Sequence, residues 1–196
     1  MRPERIGWRE LAPRPWKNGA GLTRDIALSP ASADANDDFD WRISVAEIER
    51  DAPFSAFPGV DRCIVLLQGA GMVLREASGA WVRRLDRPLQ PFDFAGEATL
   101  AARLIDGTSH DLNVMTRRAR WRSKVGIARD QQAIAAADAG LLLVCSGRWR
   151  VDDIEPSMLP TQALLWRDGL PALHVSPEQP DSSLVIVRLL CHDQRR

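Results

Sequence analysis

The chain of 196 residues contains no tyrosine, and only three histidines and three cysteines. The missing tyrosine removes one common acid–base side chain. His110, His174 and His192 are far apart and form neither His-x-His nor His-x-x-x-His, so the close ligand pair found in most metal sites is absent. Cys63, Cys145 and Cys191 are odd in number, widely spaced and set beside apolar residues. They read as buried free thiols in a reducing compartment, not as a disulfide framework. No apolar run approaches the roughly 20 residues that span a bilayer. The opening "MRPERIGWRE" has no apolar signal core. A cytoplasmic location with no membrane partner is therefore expected. The formal net charge is zero, 26 basic residues against 26 acidic ones. That balance removes the simplest electrostatic case for nucleic acid, and no nucleic-acid partner is expected. Phosphate and dinucleotide loops are missing too: there is no Gly-x-x-x-x-Gly-Lys-Ser/Thr, and Gly19-Ala20-Gly21 lacks the third glycine of a dinucleotide fingerprint. A Gly-x-Ser-x-Gly nucleophile elbow is also absent. No cofactor is expected.

What the chain does have is a supply of short apolar runs. Hydrophobic residues make up 45%, and 13 glycines and 13 prolines punctuate them. Residues 40–50, "DWRISVAEIER", alternate: Trp41, Ile43 and Val45 share one side, and Arg42, Ser44 and Ala46 the other. Residues 60–67 form a denser β-branched run that breaks at Gln68-Gly69-Ala70-Gly71 and resumes at 72–75, a hairpin pattern. Strands this short at turn-marked spacing predict an all-β sandwich or barrel. The second half echoes the first. The run ending at Gln68-Gly69 resembles the one ending at Ser146-Gly147, Pro88-Leu89-Gln90 resembles Pro160-Thr161-Gln162, and residues 100–105 are matched by 184–190. These pairs suit an internal duplication, and equally the turns that any two β modules share. Only residues 130–139 read as helical, on alanine content alone. Residues 31–38, "ASADANDD", read as an exposed loop.

The chemistry lies in polar residues embedded among apolar ones. Lys17, Asn18 and Thr23 stand in the opening "PWKNGAGLTRD". Arg42 and Ser44 share a strand face, Asp61 and Arg62 begin the most apolar strand, and Asp111 and Asn113 share a face opposite Leu112 and Val114. A polar group buried without a partner costs about 1–3 kcal/mol, so such rows imply partners. Lys17, Arg42 and Arg62 together suit a carboxylate. Blander readings stand beside this one. Asn18-Gly19 is also a turn dipeptide, Asp61 or Arg62 also suits a scaffold ion pair, and Asp111 and Asn113 also suit tying down a strand end. Tryptophans are usually core, with Trp16 and Trp41 left open because polar candidates adjoin them.

Three segments, "PWKNGAGLTRDI", "FDWRISVAEIERDAPFSAFPGVDRCIVLLQGAGMVL" and "HDLNVMTRR", resemble in this order the HutD/Ves family of bacterial proteins. The resemblance is specific over the first 118 residues and thins to general architecture afterwards. It implies an all-β bicupin, two small β-barrels in one chain. Residues 1–118 would form the barrel with the ligand site and 119–196 the second, with strand exchange across the boundary allowed. Family members are associated with histidine-utilisation operons or stress responses. The HutD members are thought to bind a pathway intermediate such as formylglutamate or urocanate and to moderate flux. Carried onto this chain, the implied binding positions are Lys17, Asn18, Thr23, Trp41, Arg42, Ser44, Asp61, Arg62 and Asn113, with Gly19 and Gly21 shaping the first loop. Ala20 departs from the glycine-richer runs of relatives. Metal-dependent cupins carry two His and a Glu close together and a third His; here Asp61-Arg62 occupy that neighbourhood, which implies a metal-free site. The resulting expectation is a binding protein for a small carboxylate, with a homodimer left open. The competing expectation is a metal-independent isomerase or lyase with Asp61 or Glu47 as base and Lys17 as electrostatic stabiliser. A third is an interaction protein with a vestigial pocket.

Overall fold

A computed structural model describes residues 3–16, 18–31 and 39–192. Among them there is no α-helix, only a 3-10 turn at Trp8–Glu10. The chain divides into two compact units, residues 11–121 and residues 1–10 with 122–196. Strand β1 (Glu4–Gly7) belongs to the second of these, although it comes first in sequence.

The unit of residues 11–121 holds β2 (Arg14–Pro15), β3 (Gly21–Ser29), β4 (Trp41–Ile48), β5 (Ala52–Phe54), β6 (Val60–Gln68), β7 (Met72–Glu76), β8 (Val82–Leu85), β9 (Pro91–Ala95), β10 (Leu100–Leu104) and β11 (Ser109–Arg117). They form a six-stranded sheet, β2-β3-β4-β11-β6-β9, and a four-stranded sheet, β5-β10-β7-β8. Alternation decides what each strand buries. Ile48 and Ile64 of the larger sheet pack with Met72, Leu74 and Leu100 of the smaller one, and all five are almost fully buried. The hairpin expected at residues 60–75 does not form. β6 pairs with β11 and β9, while β7 pairs with β10 and β8, so residues 69–71 carry the chain from one sheet into the other. A glycine-rich link between two apolar runs fits a sheet crossing as well as a hairpin, and local pattern cannot separate them.

The other unit holds β1 with β12 (Trp121–Ala128), β13 (Gln132–Ile134), β14 (Ala139–Ser146), β15 (Trp149–Val151), β16 (Ile154–Met158), β17 (Gln162–Trp166), β18 (Leu173–Pro177) and β19 (Ser183–Cys191). Its sheets are β1-β17-β14-β19-β12 and β13-β18-β15-β16. Set β1, β2 and β3 aside, and each order repeats that of the first unit: β17-β14-β19-β12 against β9-β6-β11-β4, and β13-β18-β15-β16 against β5-β10-β7-β8. The duplication read in the sequence is thus a duplication of topology. Leu89 (φ 61°) and Thr161 (φ 70°) even share the left-handed conformation in the equivalent links before β9 and β17. One pairing was misaligned: residues 184–190 lie in β19, the counterpart of β11, whereas 100–105 contain β10, the counterpart of β18.

Residues 130–139 are not helical. Gln132–Ile134 pair antiparallel with β18, and Ile134 is buried. Alanine's helix preference is worth only tenths of a kcal/mol per residue against most other residues. A strand ladder plus one buried isoleucine outweighs it here. Of the loop expected over residues 31–38, all but Ala31 lies outside the described residues. The three cysteines are free. Burial pushes the Cys63 thiol far up and that of Cys145 to about 12, so both are protonated and inert near neutrality. No helix of the described residues is long and apolar enough to cross a membrane.

Candidate ligand-binding site

Residues facing one another across an antiparallel sheet share a side. Register therefore builds the site. Thr23 lies opposite Ala46, Asp25 opposite Ser44, Ser44 opposite Asn113, and Met115 opposite both Arg42 and Arg62. All of these positions of β3, β4, β11 and β6 except Asp25 line one cavity of ≈ 560 Å³ in the unit of residues 11–121, with Asp111 further along β11 from Met115. Trp16, Phe54 and Phe57 supply aromatic wall. The size and the mix of aromatic wall with many polar side chains suit a small polar molecule.

The stretch after β2 folds as a strap along this cavity. Asn18 Oδ1 accepts from the Ala20 amide at 3.0 Å, and the Gly19 amide donates to Trp16 O at 2.9 Å. Gly19 takes φ +65°, where a β-carbon is strained. The strap is tied down: the Ala20 carbonyl accepts from the Glu49 and Arg50 amides at 3.0 and 3.3 Å, and the Arg50 side chain donates to Gly19 O. Trp16 Nε1 donates to Thr23 Oγ1 at 2.7 Å, and the Trp16 ring meets Phe54 edge-on. Gly21 is required for close approach, since a β-carbon there would sit 2.3 Å from the Glu47 carbonyl oxygen. Gly21→Ala is expected to cost about 1–3 kcal/mol, the range for forcing extra volume into a packed site. Denaturant unfolding measures this; an unchanged midpoint would mean that β3 and β4 separate there at no cost.

Arg62 is 6% exposed and dominates the site. Its guanidinium carbon lies 5.0, 5.3 and 5.7 Å from the ring centroids of Phe94, Phe54 and Phe57. Nε donates to Asn113 Oδ1 at 3.4 Å and Nη1 to the Ser55 carbonyl at 3.3 Å. No described carboxylate lies within ion-pair distance of it. Burial lowers its pKa to about 10, against the pull of Asp111 and with the push of Arg42. Arg42 is committed differently: its Nε donates to Asp25 Oδ1 at 2.6 Å, and Asp25 also takes Arg14. Asp111 is 2% exposed. Burial pushes its carboxyl up to about 7 despite the attraction of Arg62, and Oδ2 has no hydrogen-bond partner. Arg14 and Arg42 share Asp25, so the charge left to attract an anion is mainly that of Arg62.

Of the positions singled out in the sequence, Asn18, Thr23, Arg42, Ser44, Arg62 and Asn113 converge on this cavity. Lys17 lies outside the described residues. Trp41 does not reach it: the alternation of β4 sends its ring to the opposite face, where it is buried edge-on to Trp121. Asp61 does not reach it either. It neighbours Arg62 on β6, so it faces outward, exposed, and pairs with Arg118 at 2.8 Å. Glu47 also lies on the outer face of β4, between Arg24 at 3.0 Å and His110 at 3.6 Å. Asp61 and Glu47 are therefore both unplaced as bases. The candidate set omitted Asp111, although period-two alternation with Asn113 placed it on the same face. It also omitted Phe54, Phe57 and Arg14, which carry no pattern that separates a wall from ordinary core.

The lining offers one carboxylate and no histidine or cysteine, and no three His, Cys, Asp or Glu converge among the described residues. That donor set does not fit a transition metal ion. In the other unit a hydrophobic cluster centres on Trp149, Met158 and Leu184, and Arg148 and Arg150 are exposed.

Comparison with known proteins gives a match of residues 9–183 to the family described as HutD. Protein Ves from Citrobacter koseri is 42% identical over 155 residues, 79% of this chain and 78% of that protein. The structure of HutD from Pseudomonas fluorescens SBW25, from a formate condition, matches with a TM-score of 0.83 at 27% identity, over 97% of this chain and 99% of that one. A cupin 2 conserved barrel domain protein from Leptotrichia buccalis matches with a TM-score of 0.58 at 9% identity, over 97% of both chains, a likeness of fold alone. With the repeated sheet order, these likenesses make the architecture a bicupin.

Proposed function

The chain belongs to the HutD/Ves family, and from that membership we propose that it is a metal-free binding protein for a small carboxylate that moderates histidine utilisation by sensing an intermediate such as formylglutamate or urocanate. The observation that carries this reading is Arg62: a guanidinium buried in an aromatic cavity, with two long hydrogen bonds to neutral acceptors and no carboxylate partner. Burying a charge without a counterion is expensive, and an anionic ligand removes the penalty. Arg42, Ser44, Asn113 and Thr23 supply orientation around it. Calorimetric titration of N-formyl-L-glutamate and urocanate should give one equivalent bound. Failure of these and of simple mono- and dicarboxylates to bind would overturn the reading.

Asp111 favours a second reading, a metal-independent isomerase or lyase. A carboxyl pushed up to about 7 inside a cavity is poised to accept a proton near neutrality. In this version Asp111 replaces Asp61 and Glu47 as the base. NMR of the same acids incubated with the protein separates the two readings, since turnover changes the spectrum and binding alone does not.

A further inference from the structure

The cavity has two polar ends. Arg42 and Arg62 flank Met115, Arg62 reaches back along the strand to Asn113, and Asp111 lies two residues beyond Asn113, near enough for its charge and that of Arg62 to act on each other. The arginine end is rich in donors. At the other end stands a buried carboxylate with an unpartnered oxygen. Its neighbours across the sheet are Ala46 on β4 and Leu66 on β6, whose side chains can donate nothing. The charged groups nearest in the cavity are already engaged. Arg62 gives its Nε to Asn113 and Nη1 to Ser55 O, Arg42 gives its Nε to Asp25, and Arg14 also goes to Asp25. Glu47 and His110 pair with each other on the outer face.

We propose that Asp111 determines which acids are accepted: the ligand carries an N–H donor as well as a carboxylate, Asp111 Oδ2 accepts from the N–H, and Arg62 holds the carboxylate. The inference rests on reading the cavity as a carboxylate site, and it adds the chemical class of the ligand's second group. An acid without the donor buries Asp111 still unpaired and forfeits that hydrogen bond. An acid with a second carboxylate in its place brings two anions together unless one takes up a proton. Amide-bearing and azole-bearing acids fit; simple diacids and oxygen heterocycles do not.

The test is calorimetry at pH 8 on two matched pairs: N-formyl-L-glutamate against N-formyl-N-methyl-L-glutamate, and urocanate against 3-(3-furyl)acrylate. The wild type is expected to favour the N–H acid of at least one pair by about tenfold or more, the scale of a hydrogen bond to a charged group. Asp111→Val, which presents carbon like its sheet neighbours, is expected to bind both members of that pair alike. Should that variant fail to fold, Asp111→Asn keeps the shape and is expected to narrow the gap by about threefold or more. Equal binding within both pairs by the wild type, or a preference undiminished in the Asp111 variants, overturns the inference and leaves the carboxylate site standing. If no acid of either kind binds, both fall.

Discussion

Arg62→Lys should weaken binding of a small acid such as N-formyl-L-glutamate by about 1.5–3 kcal/mol, roughly 10- to 100-fold, while the protein stays folded. Three properties of arginine are in use at this position, and lysine lacks all of them. The planar group is packed among Phe94, Phe54 and Phe57. Two of its nitrogens clamp Asn113 and the Ser55 carbonyl, which fixes the plane and leaves further N–H groups for the fork that a carboxylate takes up. Third, the charge survives burial. Desolvation lowers the Arg62 pKa to about 10, still cationic at neutral pH. A lysine there starts about two units lower, so the same desolvation drives it toward its neutral form. The aliphatic stem keeps its contacts, so the fold persists. Calorimetry on both proteins decides the matter, with unfolding curves as the control. Equal affinities would reduce Arg62 to a clamp between β6, β11 and the link after β5.

How much of this was legible beforehand depended on the range of the signal. Period-two alternation is local, and it placed Arg42 and Ser44 together and put Asp111 on the face of Asn113. It also separates Asp61 from Arg62, because adjacent strand residues point apart. Asp61 therefore points away from the cavity, where it is exposed and pairs with Arg118. Trp41 failed by the same logic, since it alternates with Arg42. What local pattern could not supply was strand partnership. The link at residues 69–71 has the composition of a hairpin and yet crosses between sheets, a choice made by the pairing of β6 with β11 and β9. Nor could it supply Phe54 and Phe57, which reach Arg62 from the segment around β5. Duplication was visible only through its turns, because sheet order is conserved between the units while their interiors differ: the first holds Arg42, Arg62, Asp111 and Asn113, the second Trp149, Met158 and Leu184.

The polar interior has a cost that should appear as pH dependence. Asp111 in the folded, ligand-free protein has its carboxyl pushed up to about 7 by burial, from an ordinary value of 3.8. Between those values the native state holds a proton that the unfolded chain has released. The stability linked to Asp111 is therefore fully present below about pH 4 and is lost as pH rises through about 7, a total on the order of 4 kcal/mol for a shift of about three units. Other groups titrate as well, but they do so equally in a variant at position 111. Asp111→Asn removes only this titration. The variant should gain on the wild type steadily from pH 4 to pH 8, with the gain at pH 8 reduced by about 1–3 kcal/mol for any amide proton left unpaired beside Ala46 and Leu66. The difference in slope is the readout, taken from denaturant midpoints of both proteins at pH 4, 6 and 8. Parallel curves would mean that Asp111 is solvated or paired in the free protein. A saturating N–H acid should flatten the wild-type slope and leave the variant's unchanged, because the carboxylate then has a donor and no longer holds its proton into the neutral range.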